Sequence, residues 1–293
     1  MSDVEVLCEI APSARVAADA VVGPYCVVGP EVAIGPGTVL TRRVTVVGRT
    51  ALGSGNVVEE GTVLGTIPQD LKYGGAPTLL VIGHRNHIGR RVTAHVGTEV
   101  GGCVTRIGDD NVVRDGCHVA HDCYIDDHAT LGCHVLLAGH VLVQTGAVIE
   151  DLAGAHHFVT IGRYARVGPR TPVRQDVPPF ADFYSEDPEQ SPPSVRGAHL
   201  AGVRAAALDT ADEAELLRVL RELFDDKSAL QTKIEQLEKM GVDGAAAEVC
   251  GFLHRSLQGV YGRYREVFRG QTPPEATPYL AAQQPPAAGR RVP

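Results

Sequence analysis

Aliphatic residues recur every six positions from the start of the chain: Ile10, Val16, Val22, Val28, Ile34, Leu40, Val46, Leu52, Val58 and Leu64. Composition alone does not generate such a series. The residue after each is often glycine or alanine (Ala11, Ala17, Gly23, Gly29, Gly35), and the residue two before is usually small (Cys8, Ala14, Ala20, Cys26, Thr38, Thr50, Thr62). A six-residue period matches neither the 3.6 of an amphipathic helix nor the 2 of a plain strand. It is the period of a parallel β-helix, in which each hexad forms one side of a triangular coil. Three hexads close a coil of about 18 residues, and coils stack at about the 4.8 Å strand spacing. Residues 18 apart are therefore neighbours in space.

After a break the series resumes in a new phase as Ile107, Val113, Val119, Ile125, Leu131, Leu137, Val143, Ile149, Ala155, Ile161, Val167 and Val173. Residues 66–80, TIPQDLKYGGAPTLL, abandon the hexad and carry two prolines and a Gly-Gly pair, which predicts an external loop. Loops thrown from rigid scaffolds commonly carry function. The β-helix is expected over 1–180, an irregular connector over 181–200 and a helical domain over 201–270. Within the last, Thr210 and Glu213 form a capping box ahead of an apolar stripe of Leu216, Leu217, Leu220 and Phe224. Further helices fit residues 227–240 and 244–268. The Pro- and Ala-rich stretch 271–293 has little to bury and is expected to be disordered.

Composition narrows the partners. Trp is absent and Phe plus Tyr total fourteen, so Val, Ile, Leu, Ala and Cys must fill the interior, as suits a narrow, regular core. No stretch approaches the roughly 20 apolar residues of a membrane span. The segment MSDVEVLCEI has no basic region ahead of an apolar run, unlike a secretory leader. Seven cysteines without a dense paired framework point to reduced thiols in a cytoplasm, with Cys8, Cys26, Cys117 and Cys123 as small core residues. A formal charge of −8 argues against nucleic acid as a partner.

Candidate chemistry centres on histidine. His87, His95, His118, His121, His128, His134, His140 and His156 fall within one stretch of the β-helix, with His157 adjacent. A metal site of His118, His121 and Cys123 has ligand chemistry, but the residues flank different inward positions and should not converge, so no metal and no cofactor are expected. The stacking rule gives a sharper reading. His121 lies above Gly139 and Gly139 above His157, which puts a candidate base beside a glycine whose N–H could serve an oxyanion. That is the minimum apparatus for acyl transfer. Asp122 could orient the imidazole, although adjacent residues on an extended strand point opposite ways.

Four segments then carry a family resemblance: Gln69-Asp70-Leu71-Lys72-Tyr73, His118-Val119-Ala120-His121-Asp122-Cys123, Leu137-Ala138-Gly139-His140-Val141 and Gln175-Asp176-Val177-Pro178-Pro179. In this order they resemble the acyl-ACP:UDP-N-acetylglucosamine O-acyltransferases, hexapeptide-repeat enzymes that begin lipid A synthesis. The resemblance implies a left-handed coil, against the usual right-handed crossover, and a homotrimer with active sites between subunits. It implies His121 as base, Gly139 as oxyanion amide, and Gln69, Asp70 and Lys72 as loop residues that place the sugar or complete a neighbour's site. His95, His118, His140, His156 and His157 would line the cleft or contact the nucleotide sugar, His157 standing where the family commonly has Gln. The donor would be a 3-hydroxyacyl thioester of acyl carrier protein.

Several positions depart from the family. His-Arg-Gly-Thr becomes His95-Val96-Gly97-Thr98, a basic pair becomes Ala205-Ala206 beside Arg204, and a groove-base glycine becomes Pro169, which bears on acyl length. Fewer cations should hold a diphosphate less well. Two basic clusters, Arg163, Arg166, Arg170 and Arg174, then Arg255, Arg263, Arg265 and Arg269, offer a docking face for an acidic carrier protein or a merely solvated face. Alternatives to O-acylation are N-acylation of a UDP-3-amino sugar and a non-catalytic paralogue that binds sugar nucleotide or carrier.

Overall fold

A computed structural model of the chain describes residues 8–187, 191–225 and 228–271. Each hexad contributes a strand, mostly of two residues, followed by a corner, and the strands stack into three parallel faces. The first face runs from Glu9–Ile10 to Pro172–Val173, the second from Arg15–Val16 to Thr160–Ile161, and the third from Val21–Val22 to Arg166–Val167. Along the first face Glu9 pairs with Val27 and Val27 with Thr45, the 18-residue register expected. Inward positions Val28, Val46, Leu64, Ala94, Val119, Leu137, Ala155 and Val173 form one wall of a continuous apolar core. Full burial of each larger aliphatic contributes roughly 1.5–3 kcal/mol. Ile10 is 43% exposed and Cys8 is exposed, because among the described residues no coil covers theirs. Cys8 is therefore not a core residue, whereas Cys26, Cys117 and Cys123 are buried.

Corners need one residue in the left-handed region. Glycine supplies it at 37, 55, 61, 116 and 146, while Asp122 (φ 58°), His140 (φ 65°) and Phe158 (φ 64°) adopt it without glycine's freedom. At one edge a buried ladder links successive coils. Asn86 Nδ2 donates to Asn56 Oδ1 at 2.9 Å, and Asn86 Oδ1 accepts from Asn111 N at 2.9 Å.

The phase change has a different origin from the one expected. Leu52 pairs with Ile82, so the loop inserts twelve residues, two whole hexads, and preserves phase. Ile82, Ile88 and Ala94 continue the series as buried inward residues. Ile82 then pairs with Ile107, so a second insertion, of seven residues within the segment 96–103, shifts it. Both insertions leave the first face for the second, and Glu99 of the second accepts hydrogen bonds from Gly74 N and Ala76 N of the first, each at 2.9 Å.

Residues 181–200 are not an irregular connector. Ala181–Tyr184 extends the third face and pairs antiparallel with Ser194–Ala198. Helix α1 (Leu200–Ala205), which no periodicity signalled, leads to α2 (Thr210–Phe224), α3 (Leu230–Met240) and α4 (Gly244–Gln258). The N-cap of α2 is Asp209, whose carboxylate accepts from Ala211 N and Asp212 N, one residue before the expected Thr210. Its buried stripe is Leu216, Val219, Leu220 and Leu223, with Leu217 and Phe224 half-buried. Helix α4 stops at Gln258 rather than at the expected 268: Tyr261 and Gly262 take positive φ, and a short 3-10 turn, Tyr264–Phe268, follows. The helices close over Phe180, at the end of the β-helix. The stretch beyond residue 271 lies outside the described residues.

Candidate functional site

The edge between the first and second faces carries His121-Asp122, Gly139-His140 and His157-Phe158 on three successive coils. Because Asp122 has φ of 58°, the chain turns between it and His121, and both side chains reach the same side: His121 Nδ1 and Asp122 Oδ2 are 2.8 Å apart. The strand alternation that would separate neighbours does not apply at a corner. Asp122 is fully buried. Its carboxylate also accepts from Thr98 N at 2.8 Å and Thr98 Oγ1 at 2.6 Å, while its own N–H donates to Thr105 Oγ1 at 2.8 Å. Charge-assisted bonds of this kind are about twice as strong as neutral ones. The seven-residue insertion supplies Thr98, and its Gly101 makes room, since a Cβ there would stand 1.9 Å from Asp122 Cγ. Neither threonine was singled out from sequence, although Thr98 lies in the segment His95–Thr98.

With Nδ1 facing the carboxylate, the other ring nitrogen of His121 faces Gly139. A Cβ at Gly139 would meet His121 Cε1 at 2.5 Å and Nε2 at 2.7 Å, so only glycine fits. The Gly139 N–H finds no acceptor among the described residues. A groove of about 530 Å³ opens over these atoms, lined by Gln69, His118, His121, Leu136, Gly139, His156, His157, Pro172, Val173 and Arg174 among others. Arg174 is a cation at the groove that sequence had placed only in a basic cluster.

The remaining histidines divide by environment. His140 stacks on Phe158 at 4.3 Å, and burial pushes its pKa down to about 4 against the attraction of Asp122. It is neutral near pH 7, so its 3.9 Å approach to Asp122 is not an ion pair. Burial, then repulsion from His118 and His121, likewise takes His95 to about 4. His118 is lowered by burial and shares a 2.7 Å hydrogen bond with Thr93 Oγ1. His156 and His157 are exposed at the groove, and His157 is lowered by its partial burial and by His156. On the loop, Gln69 and Lys72 are exposed, and Asp70 turns back to accept from Lys72 N at 2.9 Å.

Other expectations meet a different geometry. Four of the six docking arginines are engaged inside the chain. Arg163 binds Glu248, Arg166 binds Glu150 and Asp182, Arg263 binds Glu266, and buried Arg265 donates to His140 O at 2.6 Å. Arg170 and Arg255 are exposed. Pro169 sits on an exposed corner, and Pro172 and Val173 line the groove instead. Val96 is buried in the apolar core, and Ala205 is exposed at the end of α1, away from the groove lining. His121, Asp122 and His140 could each turn a ligand atom to one metal ion, within 4.8 Å of one another. Asp122 already accepts three hydrogen bonds there, which fits an orienting carboxylate better than a metal ligand.

Comparison with known proteins agrees with this geometry. Residues 104–139 match the bacterial transferase hexapeptide (six repeats) family. An acyl-[acyl-carrier-protein]–UDP-N-acetylglucosamine O-acyltransferase of Gloeothece citriformis is 37% identical over 213 residues, covering 73% of this chain and 75% of the relative. The same-named protein of Verminephrobacter eiseniae is 36% identical over 220 residues, 73% and 82% of the two chains. Among solved structures, the Francisella novicida UDP-N-acetylglucosamine acyltransferase superposes with a TM-score of 0.80 at 26% identity, covering 96% of this chain and 98% of that one. The coil is the left-handed parallel β-helix followed by a small helical domain. With this fold, with these relatives and with His121, Asp122 and Gly139 gathered at one groove, the chain belongs to the acyl-[acyl-carrier-protein]–UDP-N-acetylglucosamine O-acyltransferase family.

Proposed function

We propose that the chain transfers a 3-hydroxyacyl group from acyl carrier protein to the 3-hydroxyl of UDP-N-acetylglucosamine, the first step of lipid A synthesis, with His121 as general base. The observation that carries this reading is the 2.8 Å contact of His121 Nδ1 with buried Asp122, which leaves Nε2 facing Gly139 across the groove. With Nδ1–H donated to Asp122, Nε2 is free to take the sugar hydroxyl's proton. The hydroxyl oxygen then bonds to the thioester carbon, and the Gly139 N–H holds the carbonyl oxygen as it becomes anionic. Collapse breaks the carbon–sulfur bond, and the imidazolium returns the proton to the departing thiolate. No other group is required for the balance.

A homotrimer fits the surface. Leu71 and Ile67 project from the loop fully or mostly exposed, and Leu136 is 56% exposed in the groove, so a neighbouring copy would cover them and close the open side. Arg170, Arg174 and Arg255 are the exposed cations left to attract an acidic carrier protein, which mainly raises the association rate. Among the described residues no helix is long and apolar enough to cross a membrane. A donor carried on acyl carrier protein supports a reaction in the cytoplasm.

Transfer from acyl carrier protein to UDP-N-acetylglucosamine should be assayed with the wild-type chain and His121→Ala. Product that falls about 10²-fold or more in the variant supports the reading. Product on a UDP-3-amino sugar alone, or an unaffected variant, overturns it.

A further inference from the structure

At four positions the small residue two before an inward aliphatic has the same task. Its hydroxyl or thiol donates to a corner carbonyl on the next coil: Thr38 Oγ1 to Gly53 O at 2.8 Å, Thr62 Oγ1 to Gly89 O at 2.7 Å, Cys117 Sγ to Gly132 O at 2.8 Å, and Cys123 Sγ to Ala138 O at 3.1 Å. The amide that shares each of these carbonyls belongs to the following residue. In three cases its N–H is spent within the chain: Ser54 N on His84 Nδ1, Arg90 N on Asp115 Oδ1 and Cys133 N on Asp151 Oδ1. In the fourth it is the N–H of Gly139, a residue that lines the groove, and it has no acceptor among the described residues.

We infer that Cys123 is a positioning residue for the acyl transfer: its thiol, by donating to Ala138 O, fixes the Ala138–Gly139 peptide plane and strengthens the Gly139 N–H as a donor to the oxyanion. The inference rests on the reading of Gly139 given above. A carbonyl that accepts a hydrogen bond draws electron density from its own N–H, and bonds in such a chain strengthen one another by about 10–30%. Cys123 is fully buried, and burial pushes its thiol up to about 12, so it remains a protonated donor throughout the working range. It never touches substrate. Cys117 makes the same bond in the same register, but the amide it governs is already spent on Asp151. The two cysteines differ in what lies beyond the carbonyl.

The test compares Cys123→Ala, Cys123→Ser and Cys117→Ala in the full-length protein. Removing an oxyanion donor outright typically costs 10²–10³ in kcat. A 10–30% weakening of that donor predicts kcat about 1.6- to eightfold lower for Cys123→Ala, with KM for both substrates unchanged. Cys123→Ser, which keeps a donor, should return kcat to wild type, and Cys117→Ala should match Cys123→Ala in lost melting temperature but not in kcat. In parallel, the Gly139 amide is followed by NMR in glycine-¹⁵N-labelled protein without substrate. An upfield proton shift in Cys123→Ala together with the kcat loss supports the inference. An amide that does not move overturns it. An amide that moves while kcat stays at wild type also overturns the catalytic role, and then the assignment of Gly139 as oxyanion donor fails with it. Equal kcat loss in Cys117→Ala would reduce the effect to packing.

Discussion

Replacing Asp122 by asparagine keeps its shape and removes its charge. The carboxylate accepts from three donors, Thr98 N, Thr98 Oγ1 and His121 Nδ1, at 2.6–2.8 Å. A carboxamide offers one oxygen. If Thr98 N retains it, the NH₂ group lies where Oδ2 was, facing the Thr98 hydroxyl and His121 Nδ1. The hydroxyl can rotate to accept. The imidazole can accept only by moving its proton to Nε2, the tautomer that cannot deprotonate a sugar. Loss of one charge-assisted hydrogen bond is worth about 1.5–3 kcal/mol, which is roughly 10- to 150-fold in rate. The inverted tautomer adds to this, and the amide swap in a serine-hydrolase triad, about 10⁴, marks the upper end. We expect Asp122→Asn to lower kcat about 10²–10³-fold, with KM for UDP-N-acetylglucosamine within about threefold because the groove lining is untouched. The assay is initial-rate transfer from acyl carrier protein over a range of sugar concentrations, with the melting profile measured alongside. A folded variant with kcat within about threefold of wild type would refute the orienting role.

Gly139→Ala forces the His121 ring aside, since the new Cβ would stand 2.7 Å from Nε2; displacement near 1 Å can cost about 10²-fold, and a rate close to wild type would mean the ring is not held there. Asn86→Ala should destabilise the chain by about 3–5 kcal/mol in urea unfolding, because Asn111 N, Asn56 Oδ1 and Gly108 O each lose a buried partner; a loss under about 1 kcal/mol would contradict this. The pH dependence of stability should contain opposed contributions over nearly the same range. Burial raises Asp176 from 3.8 to about 6 in the fold, so its contribution is present below the lower value and lost as pH rises through the higher, roughly 3 kcal/mol in all. His95, lowered from 6.5 to about 4, contributes stability present above the higher value and lost as pH falls through the lower, again roughly 3 kcal/mol. Because these windows overlap, and His140 is lowered to about 4 as well, unfolding free energies measured from pH 4 to about 7.5 should rise more steeply with pH in Asp176→Asn and less steeply, though still upward, in His95→Gln; slopes identical to wild type would contradict both assignments.

The coil was legible because its core is periodic: each inward aliphatic is the same distance along the chain from the next, and burial rewards nothing else at those positions. The 18-residue rule even located Gly139 beneath His121. It failed where the period is broken. Counting by six treated residues 66–80 as the source of the phase shift, yet a twelve-residue insertion is silent to that count, and the shift belongs to residues 96–103. The antiparallel pair Ala181–Tyr184 and Ser194–Ala198 was missed because its strands are half polar and stand outside the hexad, with no repeat to announce them. The arginine clusters read as open surface because sequence shows which charges are near one another along the chain, and Glu248 lies 85 residues from Arg163.

Histidine clustering, the most visible feature of the sequence, is a weaker sign of the site than it looks. His128, His134 and His140 all occupy left-handed corners, a placement the repeat imposes every sixth residue, and it says nothing of catalysis. What separates His121 from them is one residue's offset, which puts it ahead of the left-handed position and leaves that position to Asp122. A carboxylate buried there would be costly alone. Thr98 offsets the cost, and only a departure from the hexad could bring Thr98 to it, because a regular coil has no residue to spare above that corner. The seven residues that spoil the repeat are therefore what allow a charged group inside it, and the site exists where the scaffold's own rule is suspended.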